Sequence, residues 1–125
     1  MPKLTNNKNS TKYFSSRQEQ YIANLLGGKP ICASGATGFS KGDITLDDWL
    51  IECKTTTKPK TSFSIKQEWL EKNELERLEM HKPHSALVFQ FEPEGENYFV
   101  INEKTFKKLL DNSLKRKKDY LYDYF

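Results

Sequence analysis

The chain has 125 residues, 30% of them charged and 36% hydrophobic, with a net charge of +3. That length suits one compact domain and is too short for two. Two Trp and eight Phe supply bulky core material, but the longest apolar runs are only a few residues, which excludes a helical membrane span. No positively charged start leads into an apolar stretch, so the expectation is a cytoplasmic protein.

Residues 1–14 (MPKLTNNKNSTKYF) are polar and aperiodic and predict a flexible N-terminal arm, with residues 15–125 as the single domain. A helix is predicted to begin at Ser15 or Ser16, because Ser16 stands three residues before Glu19 at capping-box spacing. Glu19, Ile22, Ala23 and Leu26 fall at i, i+3, i+4 and i+7 on one face, and Gly27-Gly28 followed by Pro30 ends the helix. Residues 30–33 read as a short strand, residues 34–41 (SGATGFSK) as a loop, and residues 42–46 as a second strand. Asp47-Asp48 is a tight turn into a third strand over residues 49–55, which makes an antiparallel hairpin. After a basic, Thr-rich loop, residues 64–82 predict a helix with Leu70, Leu75 and Leu78 toward the core, stopped by Pro83. Residues 85–91 (SALVFQF) read as a central buried strand and residues 97–101 as the next. A last helix starts at Glu103, and the aromatic tail DYLYDYF packs on the body or mediates contacts. The order α-β-β-β-α-β-β-α predicts an α/β fold, a central mixed five-stranded sheet flanked by helices.

Cys32 and Cys53 belong to no C-x-x-C pair and sit in apolar strand-like stretches, which favours small buried residues over a disulfide or zinc ligands. His81 and His84 form an H-x-x-H pair, but Pro83 separates them from a common helical face, so a surface pair is favoured over a metal site.

Asp43, Glu52 and Lys54 carry the chemical interest. Alternate strand residues share a face, so Glu52 and Lys54 point one way and Cys53 the other, and hairpin pairing brings Asp43 toward Glu52. Two carboxylates and an ammonium suit metal-assisted phosphodiester hydrolysis: the oxygens hold magnesium, and the lysine stabilises charge or positions the attacking water. Ordinary surface charges are the alternative; the flanking Ile44, Leu46, Leu50 and Ile51 argue against it by placing the acids beside a core, where an unpaired carboxylate is costly. Glu19 is either a fourth member of this set or simply the reciprocal half of a capping box.

Glu19 on a helix, Ser34-Gly35 in a loop, Gly42-Asp43-Ile44, Ile51-Glu52-Cys53-Lys54-Thr55, then Ser64-Ile65-Lys66-Gln67 and Ala86-Leu87-Val88-Phe89 together resemble the PD-(D/E)XK nuclease superfamily. The pattern is most similar to archaeal-type Holliday junction resolvases and their phage-encoded relatives, and it covers about residues 15–101. The resemblance implies a restriction-endonuclease-like core and Mg2+ (Mn2+ as substitute) bound by Asp43, Glu52 and the Cys53 carbonyl. It further implies Lys54 as catalytic lysine, Glu19 for a second metal or water, Ser34 at the scissile region, and Gln67 in support. Members are homodimers that nick four-way DNA junctions. Gly42 replaces the superfamily's proline. Gln20, and Cys32 or Ala33, stand where many resolvases carry arginine, which bears on junction specificity more than on nuclease chemistry.

Lys41, Thr55, Lys58 and Lys60 are expected along the DNA path, and Lys115, Arg116, Lys117 and Lys118 are either a further phosphate-following cluster or solvated surface. The competing readings are a restriction-like or nicking endonuclease with the same site, and a catalytically silent DNA-binding protein.

Overall fold

The structure, a computed structural model, describes residues 11–31 and 43–124, without the side chains of residues 43 and 120–124. Helix α1 (Thr11–Leu26) is followed by β1 (Lys29–Pro30), β2 (Asp43–Leu46), β3 (Trp49–Cys53), α2 (Gln67–Glu79), β4 (His84–Gln90), β5 (Asn97–Val100) and α3 (Glu103–Tyr124). The five strands form one mixed sheet in the order β1-β2-β3-β4-β5. The β3–β4 pair is parallel and every other pair antiparallel, so the chain must cross over through α2 between β3 and β4. The α/β layout and the element order agree with the sequence reading.

Helix α1 starts at Thr11, so residues 11–14 belong to the helix and not to the arm. Ser16 therefore lies inside the helix, and the capping box with Glu19 does not form. At the other end Gly27 takes φ 76° and the Gly28 N–H returns to the Ala23 carbonyl at 2.9 Å, the Schellman closure that glycine permits. Gly28 also fixes how closely the helix meets the sheet: a Cβ there would stand 2.8 Å from the Thr45 carbonyl oxygen.

The hairpin turns at Asp47-Asp48, with Asp47 at φ 26°, and pairs Asp43 with Glu52, Ile44 with Ile51, Thr45 with Leu50 and Leu46 with Trp49. Strand alternation then sorts the sheet into two faces. Ile44, Ile51, Cys53, Ala86 and Val88 pack with Ile22 and Ala23 of α1 in the main core. Leu50, Glu52 and Leu87 lie on the other face, where Ser85 and Leu87 line a small cavity with Leu70 and Asn73 of α2.

Helix α2 is shorter than the predicted 64–82 and presents a different side. Leu75 and Leu78 are exposed, while Asn73 and Glu76 are buried. Asn73 Nδ2 donates to the Ala86 carbonyl at 3.0 Å, which makes it a useful inward residue against a strand. The helix stops before Pro83 because His81 adopts φ 57°. His81 is exposed, whereas half-buried His84 opens β4 and packs tilted against Trp49 with ring centroids 4.9 Å apart, so the two do not form a surface pair. Helix α3 is capped by Asn102, whose Oδ1 accepts the Thr105 N–H at 2.8 Å, and runs unbroken into the aromatic tail. No helix among the described residues is long and apolar enough to cross a membrane.

Candidate functional site

The C-terminal end of β3 gathers most of the residues singled out in the sequence. The Cα of Asp43 is paired with that of Glu52 across the hairpin, as the turn requires; the Asp43 side chain lies outside the described set. Glu52 is a charged residue in the core, only 3% exposed. Cys53 closes the strand with its side chain buried in the main cluster, so any ligand role falls to its backbone. Lys54 leaves the strand next. Its N–H donates to the Val88 carbonyl at 2.8 Å, which fixes the backbone, and its Nζ lies 4.2 Å from the centroid of the Trp69 ring in α2. That cation–π contact holds the ammonium on the Glu52 face of the sheet.

Glu19 approaches from α1. Burial pushes its carboxyl above the ordinary glutamate range; a hydrogen bond from Ser15 Oγ, 2.9 Å from Oε2, pulls it back; and the negative charge of Glu52 pushes it up again. Glu19 and Glu52 thus feel one another although they belong to different layers. The capping alternative for Glu19 is replaced by an i, i+4 contact with Ser15 inside the helix.

The neighbour of Glu19 was not anticipated. Gln18 is buried; its Nε2 donates to the Lys54 carbonyl at 3.1 Å and its Oε1 accepts from Thr55 Oγ1 at 2.8 Å. It therefore fastens α1 to the segment that carries the lysine. The sequence signal was faint: Gln18 precedes Ile22 by four and so shares its buried stripe. Trp69 was likewise missed, because its partner lies fifteen residues earlier and only the crossover brings them together.

The expected DNA-contact residues are more dispersed. Thr55 is tied to Gln18. Lys58 and Lys60 are exposed in the loop after β3, with Lys60 Nζ 5.6 Å from the centroid of the Phe63 ring. Gln67 is the exposed first residue of α2. Ser34, Lys41 and Cys32 lie outside the described residues.

Among the described residues no three His, Cys, Asp or Glu side chains form a metal cluster, a set that does not include the Asp43 side chain. The donor chemistry nonetheless fits a hard divalent cation: oxygen donors only, and a Glu19 carboxylate whose ionisation the Glu52 charge opposes, a repulsion that a cation would relieve. No protein-family model, curated protein or solved structure matches this chain.

Proposed function

We propose that the chain is a magnesium-dependent DNA endonuclease with a PD-(D/E)XK-type site on a restriction-endonuclease-like core. In this reading it is a structure-selective enzyme of the Holliday junction resolvase type that works as a homodimer. The observation that carries the reading is the convergence at one strand end. Buried Glu52 stands opposite Asp43 in register and biases Glu19, and Lys54 follows two residues later with its ammonium held on Trp69.

Asp43, Glu52 and the Cys53 carbonyl would hold the metal, with Glu19 as a further oxygen donor or a partner for water. Bound there, magnesium supplies charge neutralisation at the phosphate and a more acidic water. The Lys54 ammonium faces the charge that grows on the phosphate oxygens. Gln18 fixes the Lys54 backbone from α1, the helix that also carries Glu19. Lys58 and Lys60, exposed on the loop leaving the site, favour the continuing phosphate backbone.

The test is cleavage of a four-way junction, a nicked duplex and a linear duplex of the same sequence, each with magnesium, manganese, calcium or excess chelator. Junction cleavage in magnesium and manganese, with binding alone in calcium, is the expected result. Full activity in chelator, or no cleavage of any substrate, would overturn it.

A further inference from the structure

A second concavity lies on the α1 face of the sheet, between α1 and the end of the β4–β5 hairpin. It encloses about 260 Å³, and its lining includes Phe14, Gln18 and Tyr21 of α1 with Gln90 and Asn97 of the hairpin. Gln90 and Asn97 are directly opposed across the β4–β5 pair, so their side chains emerge side by side on one face. Gln90 is buried, and its backbone carbonyl accepts from Thr56 Oγ1 at 2.7 Å. Asn97 Oδ1 is buried with no hydrogen-bond partner among the described residues. A buried amide oxygen without a partner costs free energy, which is recovered if the Asn97 side chain turns to offer that oxygen to a ligand donor in the cleft.

The charge at the rim narrows the choice of ligand. Arg17 and Glu94 close it as an ion pair at 2.7 Å, leaving little net charge to attract either a phosphate or a cation. What remains is a cleft with aromatic rings on the helix side and carboxamides on the strand side. Carboxamides pair with the donor–acceptor edge of a base, and aromatic rings stack on its faces. The apolar groove elsewhere on this face, lined by Trp49, Phe99 and Ile101, offers no such polar edge. Position agrees with chemistry, because Gln18 both lines the cleft and bonds the Lys54 carbonyl, which ties the cleft to the backbone of the proposed catalytic lysine, whose ammonium lies on the other face of the sheet.

We propose that this cleft receives one unpaired nucleobase of the DNA, held between the α1 aromatics and the Gln90–Asn97 amide pair. The proposal rests on the nuclease reading and adds to it a means of recognising unpaired or distorted DNA. Asn97 reads the base edge and Tyr21 covers its face.

The test uses the full chain in excess chelator, where no cutting occurs, and two fluorescein-labelled duplexes. One carries a single bulged adenosine; the other carries an abasic residue at the same position. The adenosine bulge should bind about tenfold more tightly than the abasic one. Asn97→Leu should abolish that preference, and Tyr21→Ala should reduce it. Tyr21 is 58% exposed, so its removal leaves the core untouched and decides the matter even if Asn97→Leu fails to fold. Equal affinity of the wild-type chain for the two bulges overturns the base-binding cleft. If that protein still cuts a four-way junction in magnesium, the nuclease reading stands and the cleft alone falls. If it neither binds nor cuts any DNA, both fall together.

Discussion

At Glu19 two influences oppose ionisation, burial and the charge of Glu52, and one favours it, the Ser15 hydroxyl. A carboxyl whose folded pKa is raised weakens the fold once pH exceeds its unfolded value, and the penalty is complete above the folded one. Glu19→Gln removes this penalty at pH 7 while keeping the shape, so its melting temperature should equal or exceed that of the parent. Cleavage, by contrast, should fall at least a hundredfold. Wild-type cleavage with unchanged melting would return Glu19 to a structural role. Lys54→Ala should fold normally and lose a hundredfold or more in rate, about 3 kcal/mol of barrier; a wild-type rate would show the lysine wrongly assigned. The placement of Asp43, Glu52 and Lys54 was legible in the sequence because a two-residue turn fixes register and a strand alternates. Gln18 and Trp69 were not, since their partners are set by how α1 and α2 dock, which no local pattern encodes.

Elements were read well where period and punctuation agreed, and less well where several leucines invited an inward face. β2, β3, β4 and β5 are displaced from expectation by at most two residues, because apolar runs between turn residues delimit strands closely. Helix α2 fails the simpler rule that leucines point inward: its buried positions include Asn73, which answers a backbone carbonyl of β4. Asn73→Ala should therefore cost about 1–3 kcal/mol, seen as a lower urea midpoint, whereas Leu75→Ala should be near neutral because Leu75 is 62% exposed. The same helix carries a pH-dependent contact. The Arg77 guanidinium, hydrogen-bonded at 2.7 Å, holds the Glu74 carboxyl below the ordinary range; burial opposes this and the Ser85 hydroxyl assists. A depressed acid stabilises the fold above its unfolded pKa and loses that contribution as pH falls through the folded one. The pair is partly exposed, so the effect is under about 1 kcal/mol. Melting temperatures of Glu74→Gln should lie below those of the parent at pH 7, begin to approach them below about pH 4.3, and meet them only below the depressed folded pKa. A constant difference across that range would show that the charge contributes nothing.

Over the whole molecule, apolar surface is distributed unevenly. Phe89, Phe91 and Tyr98 pack with Phe63 in an intramolecular aromatic cluster whose neighbouring ring centroids lie 4.7 to 5.7 Å apart. Phe99 remains 42% exposed on the α1 face, beside a groove that also includes Leu26, Leu46 and Trp49. Next to it, α3 presents Phe106, Leu109, Leu110 and Leu114, each more than 40% exposed and spaced along one helical stripe. A contiguous apolar stripe of this kind is costly in water and suits an isologous contact between two copies. A four-way junction has approximate two-fold symmetry, so a dimer that fixes two sites in relation to each other can make both cuts without dissociating. Leu110→Glu combined with Leu114→Glu places charges on the stripe, away from the end of β3. The parent should sediment as a dimer at micromolar concentration and the double variant as a monomer that still binds nicked duplex but prefers junctions less. Junction binding by the parent should also weaken steeply with salt, through Lys58, Lys60 and the Lys115, Arg116, Lys117 and Lys118 cluster, as counterions are released. A monomeric parent with equal affinity for junction and duplex would refute the dimer and leave a simple nicking enzyme.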